Sequence, residues 1–344
     1  MIAGRTVVSC GACGATHEVV DPAAPCPACH GGVSAVAPRF AASPERVRPA
    51  AVDRSAAAAA LARWIGEGPW FPCDDLARAP SRLQAVWWPY WLVDVDATAA
   101  WQAEVGFDET VESTVEVFHG GSWTSRPQQE VRTRWAPRAG RLRRRYDDVA
   151  VPGLADQPFR NASTTTAGAA PFDPAAVGEA PIQHPDLDPE AQWPTAAAHV
   201  RFLAGEDCGR AAGGQRVREV HLDLDAAQAA WTWLLVPGWV AWYVDDAGEA
   251  HVVRVDGTTG GLAGLRLASP AKGRRWAAIH GVGALVLAGA GLVCGVVGLL
   301  LWILLPVALA LGALAVVEGA VAVWCAVNPD GWNTAQRRAA RGDG

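Results

Sequence analysis

The sequence contains none of the short motifs by which common enzyme classes are recognised. There is no P-loop, no GxSxG nucleophile turn, no HExxH motif and no GxGxxG opening a helix. Six of the eight histidines are scattered and form no pair at metal-ligand spacing (His119, His184, His199, His221, His251 and His280). We therefore expect a protein that is not an enzyme.

The sequence also lacks the features of a secreted protein. Its first residues, MIAGRTVVSCGAC, contain no apolar segment of the kind found in a signal peptide. The eight cysteines fall along the chain in groups of four, one, one and two. This grouping is typical of a metal site in a reducing compartment and not of a disulfide framework. We therefore expect the folded part of the chain to lie in the cytoplasm.

Charge is almost missing from one long stretch near the C-terminus. From Ala277 to Val327 the only Asp, Glu, Lys or Arg is Glu318. A helix needs roughly 20 apolar residues to cross a bilayer once, so about 50 residues suffice for two crossings. The alternative is a buried helical hairpin in a soluble protein. It is less favoured, because surface helices of soluble proteins show a polar face and this stretch does not.

The apolar stretch predicts a hairpin of two transmembrane helices, about 277–300 and 304–327. Pro306, near the middle, places the turn at about 302–306. Basic residues flank both ends (Lys272, Arg274 and Arg275 before it, Arg337, Arg338 and Arg341 after it). Basic residues that flank a membrane span stay on the cytoplasmic side of the membrane. We therefore predict a multi-pass protein of the cell inner (cytoplasmic) membrane. Its N- and C-termini, including a tail at 328–344, would be cytoplasmic.

The first 35 residues contain the most specific pattern in the chain, CxxC-x12-CxxC, formed by Cys10, Cys13, Cys26 and Cys29. Two such turns bring four thiolates to one tetrahedral ion, which predicts a zinc ribbon over residues 1–35. Four sulfurs leave no open coordination position, so the zinc is structural. His17 and His30 could compete as ligands, but we expect them to be bystanders.

The remaining soluble part is predicted to be an α+β protein with a β-rich cytoplasmic body. A Pro/Ala/Arg-rich linker at 36–52 leads to a body at 53–270, with possible related halves at 53–155 and 216–270. Helices are predicted at 56–65, capped by Asp53 or Ser55, and around 191–203, with loops in the rest of 152–215. Strands are predicted at 85–94 (continuing towards Trp101 and Val105), 114–118, 130–135, 141–151, 217–224, 231–244, 250–255 and 262–267.

Two patterns within the body lead to further expectations. The strands 130–135 and 141–151 are predicted to form a hairpin around 136–140, which would align two sets of arginines (Arg132 and Arg134; Arg141, Arg143 and Arg145). Such a surface could contact nucleic acid or anionic lipid headgroups. A solvated outer face neutralised by carboxylates such as Asp147 and Asp148 is the favoured alternative. The pattern Pro-x-Trp occurs twice, at Pro89 and at Pro237, and predicts a bulge or an edge in both strands.

Glu318 lies near the middle of the second predicted span, where a carboxylate is costly and therefore a functional candidate. Neither span contains a Lys or Arg to pair with it. We expect contact with a partner first, contact with the first span next, and proton or ion conduction last. Gly291 and Gly295 form a GxxxG pattern that permits close helix packing, although Gly and Ala are abundant here.

Several of these segments together resemble a family of bacterial zinc-ribbon membrane proteins, described as TFIIB-type zinc-ribbon or primosomal-protein-N′-like. The segments are CGAC…CPAC, ARWIGEGPWFPCDDL, VWWPYWLVDVDA, LLVPGWVAWYV and HVVRVDGTTGGLAG, followed by the apolar hairpin. The sequence departs from the family at Asp256-Gly257, where relatives tend to have Asn-Gly, and in its Ala/Pro-rich centre. The resemblance implies an adaptor associated with phage-shock protein A-like or SPFH-type membrane-stress proteins.

Two functions follow as expectations. The first is a membrane-anchored, cytoplasm-facing adaptor that binds other membrane-associated proteins through its ribbon and body. The sequence leaves open whether this adaptor also forms a homo-oligomer. The second is a membrane-tethered nucleic-acid-binding protein. The net charge of −6 favours the first. A helicase function would need nucleotide-binding motifs that the sequence does not contain.

Overall fold

In the computed structural model, residues 2, 4–40, 43–159 and 168–341 are described. Within these ranges the chain is a mixed α/β protein with a large β-sheet body, a cluster of four cysteines near the N-terminus and two apolar C-terminal helices. The loops predicted at 160–167 lie outside the described residues. So do parts of the predicted ribbon, linker and tail (residues 1, 3, 41, 42 and 342–344).

The strands are short near the N-terminus and very long in the middle of the chain. They are β1 Thr6–Cys10, β2 Thr16–Val19, β3 Val33–Ala35, β4 Arg46–Val47, β5 Gln84–His119, β6 Ser122–Pro152, β7 Ala170–Pro171, β8 Ile182–Gln183, β9 Arg216–Val244, β10 Ala250–Asp256 and β11 Leu262–Gly264. The α-helices are α1 Arg54–Gly66, α2 Pro174–Val177, α3 Trp193–Ala212, α4 Pro270–Gly298 and α5 Leu305–Arg341. Short 3₁₀ helices span Leu76–Arg82, Glu190–Gln192 and Trp302–Leu304.

One sheet connects all the described strands. Its main path runs β11-β10-β9-β5-β8-β2-β1-β3, with β6 beside β5 and the pair β4–β7 beside β9. The strands of the predicted ribbon therefore belong to the same sheet as the body. Both predicted halves of the body contribute to it as well, since β5 and β6 come from the first and β9 to β11 from the second.

The strands at the centre of the sheet are longer than predicted. The segments predicted at 85–94 and 114–118 are parts of β5, and those predicted at 217–224 and 231–244 are parts of β9. The hairpin predicted around 136–140 is wrong, because β6 runs through these residues in unbroken register with β5. The chain instead reverses at Gly120 and Gly121, both with positive φ.

The residues that suggested a turn at 136–140 have other roles. A Cβ at Gly140 would lie 2.6 Å from the indole of Trp101 on β5, so glycine makes room for this ring. Pro137 on β6 pairs with Glu104, and β5 is the only described partner of β6. Since an edge strand needs no donor on its open side, proline is tolerated there.

The two Pro-x-Trp segments pair with each other in the middle of the sheet. Trp88 lies opposite Val236, and Pro89 lies opposite Leu235. The register shifts of this pairing occur at Asp94/Val95 and Gln102/Glu104, so no bulge marks either proline. The predicted bulge is therefore not found. Instead, each proline lies where a ladder stops: the β5–β6 ladder ends beside Pro89, and the β9–β10 ladder ends beside Pro237.

The segment predicted as a linker lies along the body. The backbone N–H groups of Glu45 and Arg48 donate to the carbonyls of Trp233 and Leu235, both at 2.9 Å. Helix α1 begins as predicted, because Oδ1 of Asp53 accepts a hydrogen bond from the N–H of Ala56 at 2.8 Å. The ribbon, this segment and the body thus form one connected structure.

Helix α3 covers one face of the long strands. The helix predicted around 191–203 is confirmed and continues to Ala212, where Gly213 follows in the left-handed conformation. Val200 and Ala204 are fully buried against the aromatic core of the sheet. The buried carboxylate of Asp207 accepts a hydrogen bond from the hydroxyl of Tyr146 at 2.9 Å, and this bond ties α3 to β6.

The C-terminal hairpin turns where the sequence predicts. Helix α4 ends at Gly298, a 3₁₀ turn spans Trp302–Leu304, and α5 starts at Leu305. Both helices are long and apolar enough to cross a membrane. They extend beyond the predicted spans, with α4 starting at Pro270 and α5 running to Arg341.

Candidate metal centre and membrane hairpin

Two similar turns bring the four N-terminal cysteines together. Cys10 is the last residue of β1, and the N–H of Gly14 closes a turn onto its carbonyl at 3.0 Å. The N–H of His30 closes the matching turn onto the carbonyl of Cys26 at 2.8 Å. Each turn presents two thiols to the space between them, which is the local geometry that a CxxC pair gives to a metal site.

The sulfur positions fit a tetrahedral ion. Sγ of Cys10 lies 3.5 Å from Sγ of Cys29, and Sγ of Cys13 lies 3.7 Å from Sγ of Cys26. All four sulfurs lie within 4.8 Å of one another. Four sulfurs around zinc at about 2.3 Å would be roughly 3.8 Å apart, so the cluster could hold zinc with little adjustment.

The immediate surroundings of the sulfurs leave little free space. A Cβ added to Gly31 would lie 3.0 Å from Cβ of Ala12 and 3.3 Å from the sulfurs of both Cys10 and Cys29. A Cβ added to the next residue, Gly32, would meet no atom within 4 Å. A side chain at position 31 would therefore crowd the ligands, whereas one at position 32 would not.

Protonation of the thiols is uneven. A hydrogen bond with Cys26 lowers the pKa of Cys13 to about 5, and the same bond raises the pKa of Cys26. Burial raises the pKa of Cys29 to about 11. Because metal-bound cysteine is a thiolate, binding of a metal at such a cluster is coupled to the release of protons.

The two histidines of the ribbon lie outside the four-sulfur group. Nε2 of His17 is 3.9 Å from Sγ of Cys26, and burial lowers the pKa of this histidine to about 4. The ring of His30 stacks on Trp242, with centroids 5.1 Å apart. His17 thus contributes a neutral ring beside the cluster, and His30 connects the ribbon to β9.

The cysteine cluster is anchored to the body by backbone pairing. Glu18 on β2 pairs with Ile182 on β8, and Ile182 also pairs with Trp87 on β5. The guanidinium of Arg5 donates to the carbonyl of Ala180 at 2.8 Å. Folding of the ribbon is therefore coupled to folding of the sheet.

A second group of possible ligands lies at the β9–β10 turn, where the sequence suggested only turn chemistry. It consists of Asp245, Glu249 and His251. Oδ1 of Asp245 accepts the N–H groups of Ala247 and Glu249, and Oδ2 lies 2.9 Å from Nε2 of His251. Both oxygens of Asp245 thus have partners within the turn, which accounts for the arrangement without an ion.

Glu318 pairs with a residue of the first apolar helix. Its Oε2 lies 2.5 Å from Nδ1 of His280, and the ring of His280 stacks on Trp276 at 5.9 Å. Contact between the two spans was the second of the three expectations for this carboxylate. From the sequence, His280 was treated as an isolated histidine. Its spacing from the turn at 302–304 differs from that of Glu318, so no signal in the sequence would have paired them.

Gly291 belongs to the contact between the two helices of the hairpin. A Cβ there would lie 3.3 Å from the carbonyl oxygen of Ala308 and 3.3 Å from Cβ of Leu311. At Gly295 the nearest atom would be Cβ of Ala308 at 3.8 Å, an ordinary contact. The GxxxG pattern therefore packs α4 on α5, and most closely at Gly291.

The structure separates the arginines that the β-hairpin predicted around 136–140 would have aligned. All five lie on β6, with Arg132 and Arg134 at even positions and Arg141, Arg143 and Arg145 at odd ones. Because side chains alternate along a strand, the two sets project from opposite faces. The prediction of one arginine surface shared by both sets is therefore wrong.

Carboxylates accompany three of these arginines. Arg134 contacts Glu109 at 2.6 Å and Arg132 contacts Glu130 at 3.0 Å. Arg145 contacts Asp94 at 2.7 Å and Asp147 at 2.5 Å. These pairs fit the solvated outer face that was the favoured alternative.

The hairpin is tied to the body at both of its ends. Ser269 caps α4, and its hydroxyl donates to Asp246 in the β9–β10 turn at 2.6 Å. Near the end of α5, the side-chain amide of Asn333 accepts the N–H of Ala268 at 2.7 Å and donates to its carbonyl at 3.0 Å. Trp332 Nε1 donates to the carbonyl of Arg266. Sequence patterns did not indicate this second connection, which depends on α5 continuing past the apolar stretch.

Comparison of the chain with protein-family models, curated proteins and solved structures finds no match.

Proposed function

We propose that this protein is a membrane-anchored, cytoplasm-facing adaptor. The observation that carries the proposal is the unbroken structural path from the ribbon to the apolar hairpin. Backbone pairing runs from β3 through β8, β5 and β9 to β11, and the chain then enters α4. A partner bound at the ribbon would thus be held in a fixed position relative to the membrane.

Zinc in the four-cysteine cluster would have a structural role in this adaptor. The four thiolates would satisfy all positions of a tetrahedral ion, so the metal would supply folding energy and no open coordination site. Cys13 is the exposed member of the cluster, which leaves this turn accessible to a partner.

The orientation in the membrane is inferred from charge. The basic residues that flank both apolar helices favour the cytoplasmic side for the body and the C-terminal end. Two crossings return the chain to the side from which it entered, and the ties between α5 and the body require the same arrangement.

Partners of the adaptor are proposed from the resemblance alone. They are membrane-associated proteins, phage-shock protein A-like or SPFH-type, together with a second copy of the chain bound through the apolar hairpin. The nucleic-acid alternative receives less support, because the arginines of β6 lie on opposite faces and three of them are paired with carboxylates.

Affinity purification of the full-length protein in mild detergent, followed by mass spectrometry, tests the proposal. A second sample would contain Cys10→Ser and Cys13→Ser together, and a third would contain Gly32→Ala as a matched control. We expect membrane-associated proteins that are lost from the cysteine variant and retained by the control. Association that nuclease abolishes, or no protein partner in any sample, would contradict the adaptor function.

A further inference from the structure

A short loop of the body lies against the end of the second apolar helix. It comprises residues 68–72 and follows α1; we call it the aromatic loop. Trp70 in this loop is 78% exposed, and its ring meets the ring of Trp324 on α5 edge-on at 5.8 Å. The ring of Phe71 also lies near Trp324, at 6.1 Å. An exposed tryptophan of the body is thus continuous with the surface of the hairpin.

The aromatic loop is fixed at the base of the hairpin. The carbonyl of Phe71 accepts the N–H of Ser269, the capping residue of α4, at 2.6 Å. The carbonyl of Pro72 accepts a hydrogen bond from Nζ of Lys272 at 2.7 Å. These bonds hold the loop beside the first turn of α4, so Trp70 keeps its place relative to both helices.

The positions of other tryptophans indicate the depth of Trp70. Trp276 on α4 and Trp324 on α5 lie near the body end of the hairpin, and Trp302 lies at its turn. From Trp276 to the end of α4 the helix rises about 33 Å, close to the roughly 30 Å of a bilayer core. Tryptophan is enriched at both surfaces of a bilayer. If Trp302 marks one surface, then Trp324 and its neighbour Trp70 lie at the other.

Basic side chains surround the same loop. Lys272 contacts the carboxylate of Asp74 at 2.6 Å, and Arg78 and Arg275 lie close enough to act on the same carboxylate. Asp74 itself is largely exposed. The loop therefore presents an indole with cations beside it, a combination that suits the headgroup region of an anionic bilayer.

We propose that the aromatic loop is a third membrane contact, in which Trp70 enters the headgroup region of the bilayer and holds the body against the membrane surface. This contact rests on the proposed membrane anchoring and adds to it a defined orientation of the body. Without it the body would meet the lipid only through the ends of α4 and α5.

The test uses the full-length protein labelled with 5-fluorotryptophan in nanodiscs of phosphatidylcholine and phosphatidylglycerol. The ¹⁹F resonances of three residues are assigned from the variants Trp70→Phe, Trp302→Phe and Trp123→Phe. Lipids with a nitroxide at the headgroup are then added. Trp123 is the matched control, because it is 68% exposed but lies beside the β5–β6 turn, far along the sheet from the hairpin.

The expected result is strong broadening of the Trp70 and Trp302 resonances with no change at Trp123. Broadening of Trp302 alone would overturn the loop contact and leave the membrane anchor intact. No broadening at either Trp70 or Trp302 would overturn the anchor itself. Equal broadening of all three resonances would show nonspecific lipid contact and would also overturn the proposal.

Discussion

The sharpest prediction concerns two adjacent glycines of the cysteine cluster. Gly31→Ala places a Cβ at 3.3 Å from two ligand sulfurs and 3.0 Å from Cβ of Ala12, closer than side chains normally approach. The sulfurs must move by a few tenths of an ångström or the turn must shift. In Gly32→Ala the new methyl group meets no atom within 4 Å, so the same chemical change is made without crowding.

The magnitude follows from the cost of overpacking. An added methyl group at a closely packed position typically costs about 1–3 kcal/mol. If this cost falls on the metal-bound state, zinc affinity decreases by roughly 5- to 150-fold, since about 1.4 kcal/mol corresponds to a factor of ten. Gly32→Ala should change the affinity less than about twofold.

The assay is competition for zinc between the purified full-length protein and a chromophoric chelator. The order of affinity should be wild type equal to Gly32→Ala, with Gly31→Ala clearly weaker. Equal affinities for the two variants would refute the inference that a side chain at position 31 crowds the ligand sulfurs. Failure of the wild type to retain zinc would refute the metal site.

Three further predictions concern the body and the hairpin. Gly238→Ala would place a Cβ within the ring of the buried Trp88 and should lower the free energy of unfolding by about 2 kcal/mol or more, measured by urea titration. Gly205→Ala, where a new Cβ would meet no atom within 4 Å, should not lower the free energy of unfolding. Equal losses in the two variants would contradict the close packing of Gly238 on Trp88. A double-mutant cycle of Glu318→Gln and His280→Gln, followed by thermal unfolding in detergent, should give a coupling of about 0.5–2 kcal/mol, and additive effects would contradict the pair. Asp75, just before the first 3₁₀ helix, accepts a hydrogen bond from Arg82 at 2.6 Å, and this bond lowers the pKa of Asp75. The stability that Asp75 contributes is therefore present above about pH 4 and is lost as the pH falls through the folded-state pKa. The stability difference between wild type and Asp75→Asn should therefore shrink on acidification, and a constant difference would exclude this linkage.

Local patterns in the sequence predicted the parts of the fold that local chemistry determines. The CxxC spacing identified all four members of the cysteine cluster. Asp53 marked the start of α1, and the position of Pro306 marked the turn of the apolar hairpin. In each case a few neighbouring residues suffice to specify the geometry.

Features that depend on distant residues were missed. Gly140 suggested a turn, whereas it makes room for Trp101 on the adjacent strand. This role depends on the register between β5 and β6, which the composition of β6 alone does not reveal. The alignment of the arginines failed for the same reason, because a turn expected inside a continuous strand places the two sets on the wrong faces.

The polar pair of the hairpin shows the same limit. Glu318 was identified because a carboxylate in an apolar helix is conspicuous, but its partner is a histidine and not a Lys or Arg. Likewise, the ties from Asn333 to Ala268 involve backbone groups, which no sequence pattern distinguishes. Contacts of these kinds become visible only when the two helices are placed side by side.

Protease accessibility in oriented membrane vesicles tests the central claim most directly. The full-length protein carries a different epitope tag at each end, and the membranes are first washed with alkaline carbonate. We predict that the protein stays in the membrane, and that both tags are digested in inside-out vesicles and protected in right-side-out ones. Release by carbonate, or digestion of either tag in right-side-out vesicles, would contradict a cytoplasm-facing adaptor anchored by a two-helix hairpin.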